Sequence, residues 1–304
     1  MDKNEWTGIL IILGIIGLAL FGGAMKTKNF SIVPKNNQVN GVTVVDNNNP
    51  KTQRQIQADI TKAQREVKEL EKKVVAEQQK KLQSKYYGLI KISSISRSTD
   101  PNREYVLLRV GSGVTETIPV TGWTIKSTVS GQSVTIPKAS LLYFTGMENV
   151  EENIVLDKND SLYLVTGISP NGASFRLNKC SGYLSQFQTF YPSISSSCPR
   201  PRDEDLSSIP QTLNNDACLD YIKSFPSCRI QTKSPPANWS YECTRFIYDK
   251  INYPSCVNVH KNDTDFYKDE WRVYLKRSER LWKSDKESVI LYDNEGKIVS
   301  TYSY

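Results

Sequence analysis

The amino-acid sequence predicts a mainly β protein, in which a β-sandwich carries an inserted, Cys-rich and partly helical lobe and follows a transmembrane helix and a helical stalk. Three observations support this prediction. Short β-branched and aromatic runs alternate with turn residues from residue 86 onward. All six cysteines fall between Cys180 and Cys256, and an uncharged apolar run lies near the N-terminus.

The composition is that of a globular protein with an uneven distribution of charge. Hydrophobic residues make up 38% of the 304 positions and charged residues 23%, which is too apolar for wholesale disorder. The net charge of +7 is concentrated in residues 26–85, which hold 13 basic and 6 acidic side chains. Residues 86–304 are nearly neutral, so the overall charge does not by itself indicate a nucleic-acid-binding protein.

Residues 7–25 are expected to form a transmembrane helix behind a short N-terminal tail, residues 1–6. The run carries no charge, and a helix of this length rises roughly 28 Å at about 1.5 Å per residue, close to the hydrocarbon thickness of a bilayer. A cleaved signal peptide is the alternative, since Gly22 and Ala24 offer small residues at a cleavage site. The leader lacks a net positive charge, however, which favours a retained anchor in the lipid bilayer.

The orientation of the anchor is predicted from two signals that disagree. Lys26, Lys28 and Lys35 follow the apolar run and only Lys3 precedes it, so the positive-inside rule would leave the rest of the chain in the cytoplasm. The cysteines indicate the opposite, because disulfides persist in oxidising compartments. Large domains translocate with little regard to loop charge. We therefore expect a single-pass protein of the cell membrane whose C-terminal domain is extracytoplasmic.

An Asn-rich linker, residues 26–50, leads to a predicted helical stalk at residues 51–85. The stalk lacks Gly and Pro, and its apolar residues recur at the alternating spacings of four and three that mark a coiled-coil seam: Ile56, Ile60, Ala63, Val67, Leu70 and Val74. The seam of about two and a half heptads indicates either a homo-oligomer through a short coiled coil or a solitary helix that packs on its own domain. Binding of DNA or another anionic polymer is a further alternative, against which acidic residues are interleaved with the lysines.

Residues 86–179 have the pattern of a β-sandwich. Short runs rich in β-branched and aromatic residues are separated by turns such as Asp100-Pro101 and Pro170-Asn171-Gly172. Many short strands at this spacing are typical of a sandwich. The predicted strands are Leu89–Ile95, Glu104–Val110, Trp123–Ser127, Ser133–Ile136, Asn153–Val165 and Ala173–Leu177.

Three stretches resemble the lamin tail domain family, whose members are immunoglobulin-like β-sandwiches. They are Glu104-Tyr105-Val106-Leu107-Leu108, Val120-Thr121-Gly122-Trp123-Thr124-Ile125, and a closing hairpin from Ser288 to Ser300 with its turn at Asp293–Gly296. The resemblance implies that residues 284–304 complete the sandwich. Such domains look like modules of exported or surface proteins, including membrane-anchored bacterial ones, so the resemblance implies a fold and a binding role more than an activity.

Four residues of these stretches are assigned to the structural core: Trp123, Gly122, Tyr105 and Leu107. Trp123 is a large side chain on a strand between turns, so we expect it to be buried between sheets. Gly122 permits a bend or a close approach of another segment beside it. Neither residue needs a functional explanation.

Residues 180–283 depart from a plain sandwich and are interpreted as an inserted lobe. Helices are predicted at Asp216–Lys223, Ser240–Lys250 and Asp265–Lys283. The even number of cysteines predicts up to three disulfides, which would support a small core. Six cysteines allow 15 pairings, and we hypothesise the pairs Cys180–Cys198, Cys218–Cys243 and Cys228–Cys256.

No motif in the sequence indicates catalysis, and we predict neither a metal site nor a cofactor. His260, the single histidine, could join Cys256 in half of a zinc site, but a second half is missing. Acidic clusters at residues 203–205 and 263–265 are more typical of solvated loops than of calcium sites. The phosphate-loop, dinucleotide and hydrolase-elbow motifs do not occur in the sequence.

The sequence therefore predicts a membrane-anchored, extracytoplasmic binding or structural module, without enzymatic activity, that presents a β-sandwich on a helical stalk. Its protein or glycan ligand would contact some of the lobe's aromatic residues, many of which are also expected in the core of the lobe. The aromatic residues considered in the lobe are Tyr183, Phe187, Phe190, Tyr191, Trp239, Tyr241, Tyr253, Trp271 and Trp282. A cell-envelope hydrolase that uses carboxylates or a metal is one alternative, and binding of DNA or an anionic polymer through the stalk is the other.

Overall fold

The computed structural model describes residues 50–212, 215–283 and 285–304. The predicted N-terminal tail, the transmembrane helix and all but the last residue of the linker lie outside these residues. Helix α1 (Pro50–Leu82) occupies the predicted stalk, and Pro50 takes its first position, where the missing backbone N–H is not needed. Within the described residues, no helix combines the length and apolarity needed to cross a bilayer.

Two compact units are present, one that includes α1 up to Val67 and one that runs from Lys68 to Tyr304. The strands lie in the second unit and form three sheets, in the orders β1-β2-β7-β9-β8, β11-β10-β4-β5 and β3-β6. Their bounds are β1 (Ile90–Ser96), β2 (Tyr105–Val110), β3 (Ile118–Pro119), β4 (Thr124–Ser127), β5 (Ser133–Thr135), β6 (Val155–Leu156), β7 (Ser161–Val165), β8 (Phe175–Asn178), β9 (Tyr267–Tyr274), β10 (Ser288–Tyr292) and β11 (Ile298–Ser303).

The two larger sheets share the first hydrophobic core. Alternate side chains of each strand enter it, as Val106, Leu108 and Val110 do from β2. Trp123 is 1% exposed and lies in this core, with its ring 5.3 Å from that of Tyr86. The predicted β-sandwich is thus confirmed as two sheets packed on one core.

The other residues assigned to the core differ in their environment. Gly122 has a φ of +87°, and a Cβ atom there would lie 2.7 Å from Asn294 Oδ1 in the turn of the last hairpin, so the position requires glycine. Leu107 is buried and Tyr105 is half-buried. The alternation of β2 directs both away from the first core, and Tyr105 packs instead against the second core described next.

The second hydrophobic core joins the other face of the five-stranded sheet to the lobe. Val165, Phe175 and Tyr274 enter it from the sheet, and all six cysteines enter it from the lobe. The lobe contains helices α2 (Asp216–Ser224), α3 (Tyr241–Lys250) and α4 (Tyr253–His260). The first two lie where the sequence predicts helices, whereas α4 was not predicted.

Two predictions are wrong because of strand β9. They are the helix at residues 265–283 and the start of the C-terminal part of the sandwich at residue 284. Residues 267–274 form a strand that is parallel to β7 and antiparallel to β8. Trp271 and Val273 enter the first core and Arg272 points the other way, which is the period of two that a strand requires. The lobe is therefore an insertion between β8 and β9.

The disulfides are Cys180–Cys256, Cys198–Cys228 and Cys218–Cys243, with Cα atoms 5.9, 5.2 and 6.4 Å apart. The hypothesised pair Cys218–Cys243 is present and joins α2 to α3. The other two hypothesised pairs are wrong. Cys180 meets Cys256 because α4 packs against the 3₁₀ turn Ser181–Ser185, which directly follows Cys180. Pairing follows the packing of the lobe and not proximity in the sequence.

Glu104 is a fully buried acidic residue that holds the segment between β9 and β10. Its Oε2 atom accepts hydrogen bonds from the Thr166 hydroxyl and from the Leu281 backbone amide, both at 2.7 Å. Its Oε1 atom accepts one from the Trp282 backbone amide at 3.1 Å. Both side-chain oxygens thus serve as acceptors for groups that are themselves buried.

We expect Glu104→Gln to lower the free energy of unfolding by about 1–3 kcal/mol, because the amide NH₂ would face a buried donor and leave it unsatisfied. Chemical denaturation of the wild type and the variant measures the change. Glu116→Gln, at an exposed position, is the matched control and should have little effect. Equal midpoints for Glu104→Gln and the wild type would contradict the anchoring role of this carboxyl group.

Candidate binding groove

A groove on the lobe runs along α3. Two cavities of about 380 and 470 Å³ adjoin each other and share Ser208, Phe246 and Lys250 as lining residues. Both volumes fall in the range of about 300–1,000 Å³ that is typical of ligand pockets. The first cavity is also lined by residues 199–205 and by α4, and the second by the outward face of α3.

Helix α3 is fixed at its start and along its buried face. The Ser240 side chain caps it by accepting a hydrogen bond from the Cys243 backbone amide at 3.2 Å. Cys243, Phe246 and Ile247 are buried at a spacing of three to four residues, and Cys243 is bonded to α2. The helix therefore presents Tyr241 and Arg245 of its opposite face to the groove, and Phe246 of the buried face also lines it.

Three side chains on that face stand one turn apart. The Arg245 Nε atom donates a hydrogen bond to Asp249 Oδ2 at 2.9 Å, and the guanidinium lies 6.0 Å from the centre of the Tyr241 ring. The Tyr241 ring is 71% exposed. The groove thus carries an ion pair beside an open aromatic face.

The wall opposite α3 is acidic. Glu204 and Asp205 line the first cavity together with Tyr183. The hydrogen bond from the Ser207 backbone amide lowers the pKa of Asp205 below its usual range, so this carboxyl is ionised at neutral pH. Burial, with a smaller contribution from Glu204, raises the pKa of Tyr183 to about 12, so its hydroxyl stays protonated.

His260 links Glu204 of the acidic wall to Asp263 and Lys179, and Lys179 directly follows β8 at the start of the lobe. Its Nε2 atom lies 3.0 Å from Glu204 Oε1 and its Nδ1 atom 2.8 Å from Asp263 Oδ2. Lys179 donates to the same Asp263 oxygen at 2.8 Å and to Asp265 at 2.6 Å. Both imidazole nitrogens face carboxylates, and only the protonated ring can donate to both at once.

The protonation of His260 follows from these contacts. Burial by itself lowers the pKa of the imidazole, but the hydrogen bonds to Glu204 and Asp263 outweigh it and raise the pKa above its usual value. The hydrogen bond from Lys179, followed by that from His260, lowers the pKa of Asp263. The cluster therefore works as a set of ion pairs that fixes Glu204 at the edge of the groove.

The zinc half-site considered for His260 and Cys256 is not formed, because Cys256 is consumed in its disulfide with Cys180. No group of three or more His, Cys, Asp and Glu side chains in the described ranges is arranged to hold a metal ion. The acidic residues 203–205 and 263–265 instead provide partners for His260, Lys179 and nearby backbone amides.

The nine aromatic residues singled out in the sequence differ in their environments. Trp271 and Trp282 lie in the first core, Phe190, Tyr253 and Tyr183 lie in the second, and Trp239 packs against the second. Tyr241 lines the groove, as Tyr183 also does, whereas Phe187 and Tyr191 are exposed. Glu204 was considered in the sequence only as part of the acidic cluster at residues 203–205, and Arg245 and Lys250 were not selected, although the spacing of Arg245 and Asp249 on a predicted helix was a usable signal.

No protein-family model matches the chain, and no curated protein matches it either.

We expect the stability provided by His260 to fade as the pH rises. A raised pKa in the folded state means that the contribution is fully present below the unfolded pKa of about 6.5 and is lost as the pH rises through the folded pKa. Melting temperatures of the wild type and His260→Gln, measured from about pH 5 to about pH 9, should differ most at the acidic end and converge at the basic end. Asn258→Gln, on the exposed side of α4, is the control, and a wild-type advantage that stays constant across this range would contradict the ion-pair assignment.

Proposed function

We propose that the chain is a membrane-anchored, extracytoplasmic binding module that uses the groove on its lobe to hold a ligand and carries out no catalysis. One observation carries the proposal: the groove is built from segments that disulfides hold in place. Cys218–Cys243 fixes α3, Cys180–Cys256 fixes α4, and Cys198–Cys228 holds the segment that leads into the acidic wall. Walls that are ordered before binding lower the entropic cost of taking up a ligand.

The state of the groove's polar groups supports binding over hydrolysis. Hydrolysis by two carboxyl groups needs one of them to stay protonated near neutral pH. Here the pKa of Asp205 is lowered, Glu204 is engaged by His260, and Asp249 is engaged by Arg245. Groups that are paired with each other orient a ligand more readily than they transfer protons.

The location outside the cytoplasm is supported by the cysteines. All six are bonded and at most 7% exposed, so the lobe forms its core around oxidised sulfur. Such a core is stable where the glutathione pool of the cytosol is absent. The uncharged run at residues 7–25 then serves as the anchor in the bilayer.

The identity of the sandwich as a lamin-tail-like, immunoglobulin-type domain belongs to the same proposal. Two of the three stretches that carry the resemblance lie side by side, since β10 of the closing hairpin pairs with β4, which directly follows Gly122 and Trp123, while the third lies in β2 of the five-stranded sheet. Asn294 in the hairpin turn also donates a hydrogen bond to the Thr121 carbonyl at 3.3 Å. In this family the domain implies a display or binding role.

The stalk supports self-association. Five apolar residues of the seam on α1 are between 44% and 61% exposed: Ile56, Ile60, Val67, Leu70 and Val74. A second copy would cover them in a coiled coil. Lysines of α1 pair with acidic neighbours, as Lys72 does with Glu69 at 3.0 Å, and this favours a solvated helix over a site for an anionic polymer.

The location is tested in intact cells that express the full chain. Protease added outside should digest the C-terminal domain and spare a cytoplasmic marker protein. Alkylation before denaturation should leave all six cysteines unmodified, and peptide mapping without reductant should return the pairs 180–256, 198–228 and 218–243. A protected domain with alkylated thiols would refute the proposal.

The seam is tested by sedimentation of the full chain in detergent. We expect Leu70→Glu to shift the protein from oligomer to monomer, because a buried glutamate in the seam lacks a partner. Gln79→Glu adds the same charge about two and a half helical turns away from that position and off the seam, and it should leave the oligomer intact. An oligomer that survives Leu70→Glu, or a monomeric wild type, would contradict assembly through α1.

A further inference from the structure

We propose that the ligand of the groove is a neutral oligosaccharide, with Tyr241 as its stacking platform and the Arg245–Asp249 pair as its main hydrogen-bonding group. This inference rests on the proposed function, because it names the class of ligand for the same groove.

The apolar part of the groove suits a sugar ring. Phe246 and Ile251 form buried lining, and Val259 is 53% exposed at the edge of the first cavity. Tyr241 adds an open aromatic face to the second cavity. The C–H groups on one face of a pyranose are weakly positive and pack on the negative face of an aromatic ring, while its hydroxyls project sideways. A ligand that is apolar on its faces and polar at its rim matches this lining.

The polar groups supply both donors and acceptors in fixed positions. A hydroxyl donates one hydrogen bond and accepts others. Asp249 and Glu204 offer acceptor oxygens, whereas Arg245, Lys250 and the protonated Tyr183 hydroxyl offer donors. The 2.9 Å contact of Arg245 with Asp249 and the 3.0 Å contact of Glu204 with His260 hold these side chains in place, which limits the rotamer entropy lost on binding.

The distribution of charge selects against strongly charged ligands. Glu204, Asp205, Glu242 and Asp249 line the groove together with Arg245 and Lys250, and His260 stands behind Glu204. Carboxylates on both walls would repel an anionic polymer. A cationic peptide would have to displace His260 or Arg245 to reach Glu204 or Asp249, and it would have to approach the positive charges of Lys250 and Arg245 to reach Asp205 or Glu242. A neutral polyhydroxylated chain meets neither penalty.

The test titrates the full chain in detergent with a panel of neutral tetra- to hexasaccharides built from glucose, mannose, galactose or N-acetylglucosamine. We expect at least one to bind with an affinity that is unchanged by added salt, because no ion pair forms. Tyr241→Ala and Asp249→Asn should each weaken that binding by about tenfold or more. Tyr248→Ala removes another exposed tyrosine of α3 that does not line the groove, and it should change nothing.

The outcomes separate this inference from the proposed function. If no oligosaccharide binds, or if binding survives Tyr241→Ala or falls steeply with salt, the ligand class is wrong. A panel of short peptides of positive, negative and zero net charge is titrated in parallel. If a peptide binds and Tyr241→Ala abolishes that binding, the groove is a binding site as proposed, but its ligand is a peptide. If neither panel binds in the groove, the binding role of the groove fails as well.

Discussion

Strand β9 lies between β7 and β8, so the two ends of the lobe must return to within one strand spacing of each other. The base of the lobe is closed by a hydrogen bond of 2.8 Å from the Lys179 amide to the Phe266 carbonyl. Arg272 of β9 is 2% exposed, and it donates to the carbonyls of Pro192 and Ser193 at 2.6 and 3.2 Å while it lies 4.4 Å from the centre of the Tyr163 ring. A buried guanidinium is tolerated when its donors are satisfied, and here carbonyls of the lobe satisfy two of them. Strand β9 and the lobe therefore depend on each other.

Periodicity predicted most of the elements, and it failed where two periods overlap. Most strands of residues 86–179 follow an alternation that is visible in the sequence. The exceptions are β3, which was not predicted, and the run 153–165, which divides into β6 and β7 at Asn159, where φ is +67°. Residues 271–275 satisfy a helical face through Trp271, Tyr274 and Leu275 and a strand face through Trp271 and Val273. Hydrogen-bond pairing with β7 and β8 makes these residues a strand. No local feature of the sequence identifies those two partner strands. Helix α4 was recoverable from Asn252, which caps it, and from the proline in its first turn.

The groove could be predicted only in part from the sequence, because contacts between distant segments have no local signal. Tyr241 and the Arg245–Asp249 pair lie within one helix, and their spacing is local information. Glu204 and His260 are 56 positions apart, and Cys180 and Cys256 are 76 apart. Such contacts depend on how α4 packs against the 3₁₀ turn Ser181–Ser185. The local pattern of residues does not predict that packing. The sequence could therefore predict the aromatic residues of the lobe, but not which acidic residues lie beside them in the groove.

The exposed row on α1 has a consequence for affinity. If stalks pair as proposed, every assembly carries as many grooves as it has chains. Once one groove holds a repetitive ligand, the next binding event becomes intramolecular, with an effective concentration set by the reach between sites. A single shallow groove that binds weakly and releases quickly could then take part in durable attachment. Rapid ligand exchange at each groove and high avidity of the whole oligomer would both follow from the exposed apolar seam on α1.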